Sequence, residues 1–222
     1  MKTPSMAVLG LLLSMFAASD AAAQWNVARL GTEPNRVYTS FGLDPALVTT
    51  AGYSRVMTVA GHRFQLSGDA GVGAAKMDAR DFRVRFQVLT TLVRWRSLYL
   101  NGSIVANTRG TENSVYRGIN FGSDLTATAG VYRPRWFAAG DFGFDKAVIT
   151  HVEHSDWYRQ VFYPEARDGW YLDAGGTYHY GIAGGITMGR TELAGRVGFL
   201  RTEDFNDLTP PVYAGLGVGV GF

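Results

Sequence analysis

The stretch HVEHSDW, residues 151–157, places His151, Glu153, His154 and Asp156 close together, residue types that can ligate a metal or move protons. Spacing argues against both uses. A His-x-x-His pair shares a face only on a helix; in a strand the two rings point to opposite sides. Catalytic zinc signatures are also more specific than this one. His154, Ser155 and Asp156 are adjacent, whereas the members of a hydrolase triad converge from separate segments. Gly-x-Gly patterns at 71–73 and 215–221 have no helix after them and so form no phosphate loop. The reading assigns no catalytic residue, no metal ligand and no cofactor. The same segment continues with Trp157, Tyr158, Arg159, Phe162 and Tyr163 inside the longest connection, 150–168. Connections of that length are usually functional or disordered. Aromatics beside arginine suit contact with a surface ligand. They equally suit a hairpin extension whose rings pack on one another, and both readings stay open.

A second set of chemically capable residues is spread along the chain: Asp69, Arg83, Arg85, Asp124, Asp141, Asp145, Asp173, His179 and Arg196. What unites them is the period of their surroundings. In 115–132 one alternate face holds Ile119, Phe121, Leu125, Ala127, Ala129 and Val131, while the other holds Asn120, Asp124, Thr126 and Thr128. In 172–188 Tyr178, Tyr180, Ile182 and Ile186 alternate with Asp173, Thr177, His179 and Thr187. Stretches 64–74, 82–88 and 98–106 repeat the pattern, with Asp69, Arg83 and Arg85 on the polar side. Side chains alternate across a strand, so each segment has one apolar and one polar face. No stretch shows a convincing helical period.

The pattern predicts ten antiparallel strands, near 35–42, 47–59, 63–74, 82–94, 97–107, 115–132, 135–148, 169–188, 193–201 and 211–222. Eight is the fallback if the first lies outside the wall. Short connections near 60–63, 94–97, 132–135 and 189–192 alternate with longer ones near 75–81, 108–114, 150–168 and 202–211. Before them, Lys2, the apolar run 7–18 and Ala21 and Ala23 ahead of Gln24 read as a secretory signal peptide over 1–23. The run is shorter than the roughly 20 residues a membrane helix needs. Residues 24–222 then form one domain. No cysteine is present.

Which face meets water decides the class. After residue 23 only Lys76 and Lys146 are lysines, few for a surface bathed in water. The polar faces are small and glycine-rich. Several strands exceed ten residues, the length of a tilted membrane-crossing strand. Trp95, Tyr132, Trp136, Trp170, Tyr171 and Phe222 sit near strand ends, as interfacial girdles do. Closure is required as well, because an open sheet in hydrocarbon leaves unpaired edge groups at several kcal/mol each. The net charge of +2 leaves no basic footprint for nucleic acid.

The last stretch, VYAGLGVGVGF, alternates Val212, Ala214, Leu216, Val218, Val220 and Phe222 with mostly glycine. With the leader and the alternating strands, it resembles the general class of bacterial outer-membrane β-barrel proteins, those of Gram-negative envelopes. The resemblance implies a transmembrane up-and-down barrel with outer-membrane lipid as its surroundings. It also implies that Val218, Val220 and Phe222 are read by the barrel-assembly machinery. The charged residues then point to the lumen, where they either pair and fill a narrow barrel or line a narrow pore. Wide channels belong to barrels of about sixteen strands, which favours filling. The function expected is non-enzymatic: envelope structure, surface binding or limited passage of small solutes. An enzyme acting on lipid or peptide at the outer rim is the alternative, and a soluble periplasmic ligand-binding barrel is a further one.

Overall fold

In the computed structural model the described residues are 25–44, 46–74, 80–172 and 175–222. Among the described residues the chain is all-β apart from a 3-10 turn at Val27–Arg29 and one short helix. The strands are β1 (Asn35–Asp44), β2 (Ala46–Val59), β3 (His62–Gly73), β4 (Phe82–Trp95), β5 (Leu98–Glu112), β6 (Tyr116–Arg133), β7 (Trp136–His154), β8 (Gly169–Leu172), β9 (Gly176–Met188), β10 (Thr191–Thr202) and β11 (Asp207–Gly221). The helix α1 is Asp156–Val161. Ten strands close into an antiparallel ring, each beside its sequence neighbour, with β7 next to β9 and β11 returning to β1. β8 lies outside the ring, paired only with β7.

Four two-residue turns close one end of the barrel, at 60–61, 96–97, 134–135 and 189–190. Ala60 and Gly61 both take positive φ, 50° and 81°, as a hairpin turn matched to strand twist requires. The opposite end carries the longer loops. At the turn end Phe222 and Asn35 exchange backbone hydrogen bonds of 2.9 and 3.2 Å, which helps to close the ring.

The wall is apolar outside and polar inside. Phe86, Ile182 and Leu216 face outward with 67, 66 and 63% of their surface exposed, while Arg85, His179 and Glu192 face inward at 2, 1 and 0%. This is the arrangement of a transmembrane barrel, whose outer face meets lipid and whose lumen is polar. A water-soluble ligand-binding barrel needs the reverse, and that reading is set aside.

Four expectations are corrected. The strand expected over 169–188 is two strands, because β7 outruns β9. β9 pairs with β7 only as far as Lys146, and beyond it β8 pairs with Ile149–Val152. An edge left bare there would be open to foreign strands. The connection expected over 150–168 begins only at residue 155, since β7 runs to His154, and it contains α1, which period-two reading missed. The loops expected at 108–114 and 202–211 shrink to 113–115 and 203–206, since β5 continues to Glu112 and β11 begins at Asp207. β6 and β7, 18 and 19 residues long, exceed the roughly ten needed to cross a bilayer. Their surplus projects past the loop end of the ring.

The lumen is not left to the wall alone. Residues 25–33 turn into the mouth at the turn end. There Trp25, Val27 and Leu30 are buried with Leu89, Tyr99, Tyr132 and Phe137 of the inner face. The rings of Tyr132 and Phe137 stack 5.2 Å apart, and Trp25 lies 5.3 Å from Tyr38. The segment therefore forms an apolar stopper under the polar lumen.

Candidate functional site

Just above the stopper, Arg36 Nη2 donates to Glu192 Oε2 at 2.9 Å. The Asn26 backbone N–H donates to Glu192 Oε1 at 2.6 Å, and Asn26 Nδ2 donates to the Arg133 carbonyl at 2.7 Å. Glu192 thus joins the N-terminal segment to the wall.

Further into the barrel, Arg85 grips Asp69 with both ends of its guanidinium, Nε to Oδ1 at 2.7 Å and Nη2 to Oδ2 at 3.0 Å. Tyr38 OH donates to the same carboxylate at 2.9 Å. The pairing follows from register, since Asp69 and Arg85 are directly opposed on β3 and β4.

Across the lumen a larger group converges from β6, β7, β9, β10 and β11. His179 Nε2 lies 2.6 Å from Asp124 Oδ2. Asp141 Oδ2 accepts from Arg196 Nη2 at 2.8 Å and from Tyr213 OH at 2.8 Å. Arg196 Nη2 also lies 2.9 Å from His179 Nδ1. Asp141 Oδ2 lies 3.6 Å from the same ring nitrogen, so His179 stands between two carboxylates and a guanidinium. The Arg196 guanidinium sits 4.7 Å from the centre of the Tyr213 ring. Closer to the loop end, Asp145 accepts from Arg109 Nη2 at 2.7 Å and from Asn107 Nδ2 at 3.3 Å. Arg83 is buried on the inner face of β4, opposite Gly71 and Arg109. Asp173 lies outside the described residues.

So the structure brings Asp69 and Arg85 together, and Asp124, Asp141, His179 and Arg196 together; Asp145 pairs with a residue not singled out by sequence. Charges removed from water are tolerated when paired and hydrogen-bonded, and these are. His179 and Asp141 belong to the residue types of catalysis, yet their side chains are each 1% exposed and buried well inside the ring.

Sequence reading passed over Arg36, Arg109, Glu192, Tyr38 and Tyr213. Arg109 fell in an expected loop and Glu192 in an expected turn. Arg36 and Tyr38 sit on the strand with the weakest pattern. Tyr213 was legible: it occupies the glycine-bearing alternate positions of β11, the face that turns inward.

Beyond the ring, β7, α1 and β8 build a small outer platform. Ser155 caps α1, accepting from the Tyr158 N–H at 3.1 Å, while its hydroxyl donates to the Ser114 carbonyl at 2.7 Å. Asp168 accepts from the His154 backbone N–H at 2.8 Å, lies 3.2 Å from His154 Nδ1 and pairs with Arg159. The backbone bond from His154, then the His154 ring and Arg159, hold its carboxyl below the usual carboxylate range against a smaller effect of burial. His151 points the other way and packs on Trp170, ring centres 4.7 Å apart. The two histidines of the His-x-x-His pair are therefore on opposite faces. His154, Tyr158 and Phe162 stack in sequence, at 5.4 and 6.0 Å, and Trp157 meets Phe162 edge-on at 5.0 Å. The rings do pack on each other, yet Trp157, Phe162 and Trp170 remain more than half exposed and Tyr163 partly so. Val218, Val220 and Phe222 point outward from the last strand.

No family model matches this sequence, and no curated protein does. Among solved structures, Ail, the attachment invasion locus protein of Yersinia pestis, is similar at 12% identity and a TM-score of 0.38, over 86% of this chain and 100% of that one. LpxR from Salmonella typhimurium is similar at 10% identity and a TM-score of 0.36, over 93% of this chain and 80% of that one.

Proposed function

We propose that this protein is an outer-membrane barrel that does not conduct, and that it serves to hold the α1–β8 platform at the cell surface for contact with a ligand or partner. The observation that carries this reading is the filled lumen. A stopper of Trp25, Val27 and Leu30 occupies one mouth, and paired charges bridge the inner faces above it. Short turns face the periplasm and longer loops face outward in barrels of this kind, which sets the platform outside the cell. The leader over 1–23 supplies export, and Val218, Val220 and Phe222 serve as the assembly signal. Planar-bilayer recording tests the central point. The purified protein is expected to give no large stable single-channel currents, and their appearance would overturn the reading.

The rim does assemble pairs of catalytic residue types, His154 with Asp168 at 3.2 Å and, more loosely, His151 with Glu153 at 3.9 Å. Ser155, beside His154, is committed to the helix cap and to Ser114, so it is not a free nucleophile for the first pair. Contact is therefore the better reading of this rim.

A further inference from the structure

The turn end carries a charge pattern that the lumen does not use. Arg96, Arg135 and Arg190 occupy three of the four tight turns; Arg133 lies on the outward face next to its turn, beside inward Tyr132, and Arg55 on the outward face of β2 five residues before its turn, beside inward Ser54. All five are exposed. Among the described residues none of the five makes an ion pair, whereas Arg36, Arg85, Arg109 and Arg196 in the lumen are all paired. Among the described residues the two acidic side chains of this end are already occupied: Glu33 pairs with Arg29, and Glu192 is buried against Arg36. The cations alternate with outward tryptophans. Trp95 is 64% and Trp136 43% exposed, and the Arg96 guanidinium lies 5.4 Å from the Trp95 ring centre.

We infer that this belt binds the phosphates of anionic phospholipid in the leaflet on the turn side. The inference rests on the membrane reading above. Tryptophan sits at the headgroup level of a bilayer, and arginine extends from apolar wall to charged surface while its stem stays against the wall. The guanidinium fork matches phosphate oxygens in pairs. A ligand dissolved in the periplasm would be met by cations crowning the mouth. Here Arg133 lies instead on the side wall, directly opposite outward Trp136 across the β6–β7 pair, where a lipid headgroup stands. Lysine is absent from the belt and arginine fills it, consistent with fork recognition rather than diffuse attraction.

The test uses the full mature protein folded into vesicles of phosphatidylcholine and phosphatidylglycerol in equal parts. It is extracted in mild detergent, and the retained lipid is counted by native mass spectrometry. Wild type is expected to retain phosphatidylglycerol with an enrichment of about tenfold, falling as salt is raised. R96Q/R133Q/R135Q/R190Q should return it to near parity. The lysine counterpart, R96K/R133K/R135K/R190K, should keep part of the enrichment and serves if the glutamine variant folds poorly. Insertion without enrichment in wild type, or unchanged enrichment in the glutamine variant, would overturn the inference alone. Binding of soluble heparin with no enrichment of phosphatidylglycerol would overturn it in favour of a soluble polyanion. Failure of wild type to insert at all would overturn the membrane reading with it.

Discussion

Arg85 and Asp69 show most plainly what the lumen charges are for. Their side chains are 3 and 7% exposed, so each is the other's main replacement for water. Truncating Arg85 to alanine leaves Asp69 with Tyr38 alone, and losing one partner of a buried pair costs about 3–5 kcal/mol. Arg85→Ala is expected to lower the urea midpoint of unfolding clearly; a water-filled pore would screen the change and leave the midpoint nearly unmoved. Asp168, on the platform, behaves differently because it is more than a third exposed. Its carboxyl is held below the ordinary value of 3.8, so its contribution is complete above that pH and is lost as pH falls through the depressed value. Hydrogen exchange over α1, corrected for the intrinsic rate, should stay flat from neutral pH to about 5 and rise only below about 4. Asp168→Asn should exchange fast at every pH. At this scale the sequence showed which residues face inward but not which would meet. Asp69 and Arg85 meet because two strands oppose them in register. Asp124 and His179 meet across β7, over Gly143, which opposes Thr126 on β6 and His179 on β9 and has no side chain to stand between them.

The strands themselves were legible because lipid and lumen impose opposite demands on alternate residues, and a strand has no third direction. The exceptions have the same cause. β8 and α1 stand outside the lipid, where the alternation has nothing to enforce it, and so 169–188 read as one strand and α1 as loop. Ser155-Asp156 was nevertheless a helix start in miniature, a capping hydroxyl followed by an acid in the first turn. The wall makes a sharp prediction. Ala127 faces outward in β6, and Ala127→Arg should reduce folding into vesicles, because an arginine on the lipid face near mid-depth costs about 2–4 kcal/mol. Ala127→Leu should fold normally. Thr126, one residue away, is no neutral control. Its hydroxyl donates to Asp124 at 2.5 Å and lies 3.3 Å from His179, so Thr126→Arg sets a second guanidinium near Arg196 and should also fold poorly, for a reason internal to the lumen. On the last strand, Phe222→Ala should slow assembly in cells while leaving refolding in detergent micelles unchanged; equal slowing in both would assign Phe222 to stability rather than to recognition.

Taken whole, the molecule is a cylinder polarised along its axis: an apolar stopper at one mouth, paired charges through the middle, an aromatic platform beyond the other. Trp25→Ala should cost about 3–5 kcal/mol by emptying the stopper, read as a lower unfolding temperature with the barrel's strand content intact. A Trp157→Ala, Phe162→Ala double variant should move that temperature little, because both rings are largely exposed and belong to the platform rather than the barrel. The stopper also has a consequence in time. Its residues stand at the start of the folded chain, yet everything that holds them comes later: Tyr132 and Phe137 from the middle of the sequence, Ala183 and Glu192 from near its end. On the export route proposed above, the part of the fold that crosses first has nowhere to settle until the last hairpins are in place. On that route export order and packing order are opposed, and residues 25–33 wait, unpacked, for a barrel that the last strands complete.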